Sequence, residues 1–299
     1  MTKKLIVIIG PTGIGKTDLS IEIAKYFDTE IISSDSRQIY KELKIGTAVP
    51  SDEQLSTVKH HFIGNKSIYD YYNASMFEFE VINLLNKFFK ERNEVIMTGG
   101  SGLYINAVCD GIDDLPTIDT QLREDLREKF NAEGIESLRK QLQLLDPEYY
   151  KVVDLRNPKR LLKAIEVSIM TGKPYSSFLS KSKKKRDFSI IKIGLMRDRN
   201  ELYDRINQRV DIMIQDGLID EAKMYFNDRE LNSLNTVGYK ELFQHFEGSI
   251  SLEKAIELIK RNSRHYAKRQ ISWFKRDSEI NWFHPDENEQ IVEFINNCK

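Results

Sequence analysis

The sequence predicts an α/β protein: a P-loop parallel sheet flanked by helices, with a helical insertion domain. Three observations carry that prediction. Gly10-Pro11-Thr12-Gly13-Ile14-Gly15-Lys16-Thr17 fits the pattern G-x-x-x-x-G-K-[ST] directly after a β-branched apolar run at residues 5–9. Strand-like runs then alternate with helical patterns through the first third of the chain, as parallel strands joined by crossover helices require. From Asp113 the texture changes, and three helical patterns follow with hardly a strand between them.

In a loop of this kind, glycines let consecutive backbone N–H groups curl around phosphate oxygens, the lysine adds a point charge, and the hydroxyl of Thr17 reaches a magnesium ion. Residues 18–25 read as a helix whose positive N-terminal end faces the anion. A second strand at residues 29–34 ends at Asp35, and a third at residues 94–98 breaks into Gly99-Gly100-Ser101-Gly102. Ligands of such sheets sit at the carboxyl ends of the strands, which puts Asp35 and Ser101 on the rim beside the phosphate loop. The strand at residues 94–98 has no acidic residue at its end, where many nucleotide hydrolases hold magnesium. That counts against an ATPase motor or switch.

The insertion is bounded as residues 113–189, leaving 1–112 and 190–299 as the catalytic core. Asp113-Asp114-Leu115-Pro116 ends the α/β part; Asp119 caps a helix carrying Leu122, Leu126 and Phe130, with Gly134 past its end. The next helix runs through Leu138, Leu142 and Leu145 to Asp146-Pro147, and the third starts at Asn157-Pro158 and stops at Gly172-Lys173-Pro174. A lysine run, residues 181–186, reads as a solvated loop before a strand at residues 190–195 returns the chain to the sheet. In the helix at residues 201–216, Leu202, Ile206, Val210 and Ile214 form a buried stripe, while Arg205 and Arg209 are four apart and can reach one anion together. Residues 258–276 hold seven Lys and Arg and no acid, with Ile259, Tyr266 and Trp273 expected as the core face. So segregated a basic helix suits a polyanion.

Composition narrows the class. With 299 residues, 40% hydrophobic and 30% charged, the chain can bury a large core, and its net charge of −1 gives a nucleic acid no overall attraction, only a local basic face. Cys109 and Cys298 lack C-x-x-C companions, so neither a disulfide framework nor a zinc site is expected, and the adjacent His60 and His61 read as structural. No stretch approaches a membrane span or a signal peptide, and a cytoplasmic monomer is expected.

Further motifs narrow it again. The phosphate loop, Asp35-Ser36-Arg37-Gln38-Ile39-Tyr40 with Gly46-Thr47-Ala48, Gly99-Gly100-Ser101-Gly102-Leu103-Tyr104, Asn157-Pro158-Lys159-Arg160, Val237-Gly238-Tyr239 and Lys268-Arg269-Gln270-Ile271-Ser272-Trp273-Phe274 occur in this order over nearly the full length. Together they resemble the tRNA dimethylallyltransferase (IPP transferase) family. That resemblance implies transfer of a five-carbon allyl group from dimethylallyl diphosphate to the exocyclic amine of the adenine 3′-adjacent to the anticodon, with magnesium as cofactor, the tRNA anticodon stem-loop as partner and pyrophosphate as product. It also implies that Arg205 and Arg209 serve the diphosphate, Arg205 foremost, with a structural ion pair as the alternative for Arg209, and that Ser101 belongs to the catalytic set, standing where the family usually has threonine, since either hydroxyl can contact the flipped nucleotide. RNA contacts are implied for Asp35, Ser36, Arg37, Gln38, Ser101, Arg123, Lys159, Arg160, Leu161, Leu162, Lys163, Asn235, Thr236, Val237, Gly238, Tyr239 and Lys240. The insertion would then be the tRNA-contacting part.

The residues suit that chemistry. An adenine amine becomes acidic only as its new C–N bond forms, so a carboxylate in reach is useful, and Asp35 is the candidate base; its alternative is a turn cap. Lys16, Thr17 with magnesium, the loop amides and Arg205 or Arg209 can stabilise the departing diphosphate. The adenine must leave its stack to reach them, with Arg37 and Gln38 placed to read base edges. Two other readings share the phosphate loop: a small-molecule or nucleoside kinase, and a nucleic-acid-binding module that senses nucleotide.

Overall fold

The computed structural model describes residues 3–113, 115–116, 119–180 and 182–298; Asp114, expected at the end of the α/β part, and Lys181, first of the lysine run, lie outside them. The chain divides into two compact units, Met1–Asp110 with Lys185–Lys299, and Gly111–Lys184.

The larger unit is built on six parallel strands in the order β3-β2-β4-β1-β5-β6. Its first half runs β1 (Lys4–Ile9), α1 (Lys16–Tyr26), β2 (Ile31–Ser33), α2 (Asp52–Thr57), β3 (His60–His61), α3 (Ala74–Phe88), β4 (Glu94–Gly99) and α4 (Gly102–Asp110). Strands β1 and β4 are continuous apolar runs because both faces of the sheet are covered; Leu5, Ile6, Val7 and Ile8 are fully buried. Leu19 and Ile23 of α1 join Ile6, Ile8, Ile96 and Ile193 in the core. Ile9 pairs with Gly99, and Ser33 with Thr98, so the loops after β1, β2 and β4 leave the sheet at one rim. There the Thr98 hydroxyl donates to the Ile8 carbonyl at 3.2 Å and fixes β4 against β1.

The smaller unit is helical: α5 (Thr120–Glu133), α6 (Ile135–Leu145), α7 (Pro147–Val152), α8 (Pro158–Thr171) and a short 3₁₀ turn at Tyr175–Phe178. Its core is Leu126, Leu138, Leu142, Val153, Leu161, Ala164 and Ile165. Asp119 caps α5 and Asn157 caps α8, at the positions where the sequence expects caps. The helix α7 was not expected. Asp146-Pro147 both stops α6 and starts it: the buried Asp146 carboxylate accepts the Tyr149 N–H at 2.9 Å as an N-cap and the Ser176 N–H at 2.6 Å from the 3₁₀ turn.

The chain re-enters the larger unit through β5 (Ser189–Leu195), then α9 (Arg199–Gln215), α10 (Leu218–Met224), α11 (Tyr239–Phe246), α12 (Leu252–Phe274), β6 (Asn281–Phe283) and α13 (Asn288–Asn297). Arg186 is not part of a solvated loop: its side chain is only 11% exposed, bonds Glu78 at 2.7 Å and the carbonyls of Ala107 and Val108, and so pins the return of the chain. Ile214 is half-buried, so the stripe on α9 is Leu202, Ile206 and Val210. On α12 the buried positions are Ala255, Ile259, Ala267, Gln270 and Phe274, while Trp273 is 38% exposed, with its indole lying over Gly102.

Candidate active site

The phosphate loop joins β1 to α1. Gly13 has φ of 78° and Gly15 has φ of 108°, left-handed values that L side chains rarely adopt, so glycine is required at both. Lys16 folds back on the loop, its ammonium donating to the carbonyls of Gly10 at 3.0 Å and Pro11 at 2.8 Å. Burial, and then the charge of Arg209, push the Lys16 ammonium down to about 7, with Asp35 opposing. From α9, Arg209 donates to the Thr12 hydroxyl at 3.0 Å and Arg205 to the Gly13 carbonyl at 3.0 Å, which brings both guanidinium groups onto the loop. Burial holds Arg209 below its ordinary pKa, again against Asp35.

Across the rim, Asp35 follows β2. Its Oδ1 accepts the N–H groups of Arg37 at 2.8 Å and Gln38 at 3.3 Å, while Oδ2 has no hydrogen-bond partner among the described residues. Capping and availability are therefore divided between its two oxygens. The Ser101 hydroxyl accepts the Ser36 N–H at 2.9 Å and donates to the Ser36 hydroxyl at 3.1 Å, tying the turn after β4 to the turn after β2. Tyr266 of α12 stands beside them. Burial, then the Asp35 charge, push its phenol up to about 12, with Arg37 and the nearby Ser101 side chain acting the other way.

Residues 12–17 of the loop, Asp35, Arg37, Arg205, Arg209 and Tyr266 line one cavity of about 720 Å³, which has apolar walls from Ile63, Val210, Leu218 and Ile259. It has the mixed character of a site for a ligand with a charged end and an apolar end. Its outer loop is held by a buried acid. Glu221 of α10 accepts the N–H groups of Lys44, Ile45 and Gly46, all at 2.9 Å, and the Tyr239 hydroxyl at 2.6 Å. Replacing it (Glu221→Gln) should turn an amide toward those donors and cost about 2–3 kcal/mol of stability. Urea unfolding checks this, and an unchanged midpoint would show that the loop is held by other contacts.

The family model for IPP transferase matches residues 38–277. The chain is 56% identical to "tRNA dimethylallyltransferase 1" of Bacteroides fragilis over 98% of its own length and 97% of the relative's. The chain belongs to the IPP transferase family. Among solved structures, the tRNA isopentenylpyrophosphate transferase of Bacillus halodurans matches with a TM-score of 0.72 at 34% identity, covering 98% of this chain and 96% of that one. The corresponding transferase of Staphylococcus epidermidis matches with a TM-score of 0.69 at 32% identity, covering 98% and 97%.

Within this member of the IPP transferase family, the structure brings Gly13, Ile14, Gly15, Lys16, Thr17, Thr12, Asp35, Arg37, Gln38, Arg205, Arg209, Thr236, Val237 and Gly238 to the cavity. Gly10 and Pro11 lie behind it as the carbonyls that hold Lys16, and Ser36 and Ser101 hold the turn carrying Asp35. Arg209 is not a structural ion pair, since among the described residues no carboxylate lies within salt-bridge distance of it. In this arrangement the Gln38 side chain lines the cavity and bonds to the protein itself. Its amide nitrogen donates to the carbonyls of Thr47 at 3.2 Å and Ala48 at 2.9 Å, and its oxygen accepts the Ser33 hydroxyl at 3.2 Å, which uses the whole side chain as a clamp. Tyr239 is fully buried with its hydroxyl spent on Glu221 and its ring against Gly46, so it supports the loop rather than touching a ligand.

In the helical unit, Lys159 and Arg160 are exposed, Leu162 and Lys163 are half-buried, and Leu161 is a core residue with no surface to offer. Arg123 bonds the buried Glu166 at 2.8 Å, with Lys163 at 4.0 Å from the same carboxylate. Asn235 and Lys240 are exposed in the larger unit, and the Asn235 carbonyl accepts from Arg37 at 3.4 Å. Sequence reasoning missed Tyr266, Gln270 and His60 as cavity residues. His60 donates from Nδ1 to the Val58 carbonyl at 2.7 Å, and no pattern in the sequence marks its place in the wall.

Proposed function

We propose that the chain transfers a dimethylallyl group from dimethylallyl diphosphate to the N6 amine of the adenine 3′-adjacent to the anticodon of tRNA, releasing pyrophosphate. The observation that carries this reading is one cavity with a cationic phosphate loop at one wall and the free oxygen of Asp35 at another. The N6–C bond forms at the allylic carbon as the C–O bond to diphosphate breaks. Asp35 takes the N6 proton, and the leaving group carries away the electron pair of the broken bond. Lys16, Arg205, Arg209 and the loop amides meet the charge that develops on it. Apolar walls suit the five-carbon end and keep water from the allylic centre.

The donor set fits magnesium brought in with the diphosphate: Thr17 lines the cavity and would hold the ion, with diphosphate oxygens and water supplying the other positions. Bound there, magnesium would neutralise diphosphate charge. Arg37, Asn235 and Lys240 in the larger unit, and Arg123, Lys159, Arg160 and Lys163 in the helical unit, are the side chains we assign to RNA, the exposed ones to phosphates. No described helix is long and apolar enough to cross a membrane. The kinase reading finds no support among the relatives.

Incubating the protein with magnesium, dimethylallyl diphosphate and an anticodon stem-loop should yield prenylated adenosine by mass spectrometry; unmodified RNA would refute the reading. The lysine adds a pH signature. With no anion bound its pKa is about 7, and a diphosphate beside it favours the charged form, so binding raises that pKa. Donor affinity is then full below about pH 7 and falls, by at most about tenfold per unit, as the pH rises above that value. Calorimetry in buffers of different ionisation heat should show proton uptake on binding near about pH 8. Affinity and proton count that stay flat across that range would contradict it.

A further inference from the structure

Beyond the last ladder pair, Ile9 with Gly99, the phosphate loop and the glycine-rich turn diverge, and among the described residues no backbone hydrogen bond joins residues 10–15 to residues 100–102. One side chain spans the gap. Gln270, on α12 and 6% exposed, accepts the Thr12 N–H at 2.9 Å through Oε1 and donates to the Gly100 carbonyl at 2.9 Å through Nε2. Its amide occupies the place of a missing rung, taking a donor from one loop and giving a donor to the other, as a strand peptide would.

A second observation points to the same contact. The φ of Gly100 lies outside the left-handed region, so backbone conformation does not call for glycine there. Space does. A Cβ on Gly100 would lie 2.2 Å from Gln270 Nε2, while the nearest atom outside Gln270 is the Gly10 carbonyl oxygen at 3.6 Å. The glycine is there for the glutamine.

We propose that Gln270 is a positioning residue for the diphosphate loop. It sets the spacing between the phosphate loop and the turn that carries Ser101, and it turns the Thr12 N–H away from the ligand, leaving the amides further along the loop for phosphate. This rests on the reading of the loop as a diphosphate cradle. Because Thr12 also receives Arg209 on its hydroxyl, the same contact fixes the residue against which that guanidinium is aimed. An anion cradle loses affinity quickly when its donors move, since each charge-assisted bond depends on distance and angle.

The test uses the full-length protein and two ligands measured apart: inorganic pyrophosphate with magnesium, and an unmodified anticodon stem-loop. Gln270→Met removes both bonds at nearly constant volume, and Gly100→Ala pushes the amide away. Each should weaken pyrophosphate binding about tenfold while stem-loop affinity changes less than about twofold. In a Gln270→Ala background the methyl group has room, so adding Gly100→Ala should cost less than about twofold more. Gln270→Glu, which keeps the size and the Thr12 acceptor but sets a carboxylate against the Gly100 carbonyl, serves if the methionine variant does not fold, with the same expectation. Pyrophosphate binding unchanged in the Gln270 variants, equal loss for both ligands, or full additivity of the Gly100 and Gln270 changes would overturn the proposal. Wild-type protein that binds no pyrophosphate would instead sink the diphosphate reading itself.

Discussion

Asp35→Asn is expected to reduce prenyl transfer about a thousandfold while leaving stem-loop affinity close to that of the unaltered protein. The substitution separates the two jobs of this side chain. An asparagine oxygen can still accept the N–H groups of Arg37 and Gln38, now bonded to Oδ1 at 2.8 and 3.3 Å, so the turn survives. What is lost is the proton acceptor at the other oxygen. Asp35→Ala would remove both, and its effect would mix chemistry with an uncapped turn. Single-turnover rates against anisotropy of a labelled stem-loop resolve the two contributions. Turnover within a few-fold of the original would remove Asp35 from the mechanism.

Lys16→Ala should give the next largest effect, a loss of about a hundredfold or more in kcat/KM for dimethylallyl diphosphate. Its ammonium is held over the loop by two carbonyls, and burial beside Arg209 already disfavours its charge. An anion at the loop relieves that penalty, so the lysine is poised to gain more from a diphosphate than an exposed one would. Stem-loop binding measured without donor should not move. If the loss appeared in RNA affinity instead, the loop would be serving the acceptor. Arg205→Ala should cost less, because that side chain is exposed and water can take over part of its role.

The phosphate loop and the position of Asp35 were legible in the sequence because they are local: two left-handed glycines, a strand before them and a helix after them lie within one short stretch. Parallel order then carried Asp35 and Ser101 to the same rim. The wall supplied by α12 was not legible. Ile259, Tyr266 and Trp273 repeat every seven residues, but a straight helix drifts by about 20° per heptad. Over two heptads that rotation takes Trp273 to the surface and brings Gln270 inside. The clamp made by Gln38 was hidden for another reason. Whether an amide beside a catalytic candidate reads a base or clamps a loop depends on where residues 47 and 48 fold, and no period in the sequence encodes that. Burial of Leu161 and Tyr239 follows the same lesson, since a motif can mark a residue that supports a site from behind.

The cationic loop should hold a prenyl diphosphate while the carboxylate opposite it deprotonates an adenine. Offering the protein ATP and dimethylallyl diphosphate together, with magnesium and an anticodon stem-loop, tests it most directly. One pyrophosphate should be released for each adenine that gains a five-carbon unit, with no ADP formed. ADP accumulating while the RNA keeps its mass would contradict it.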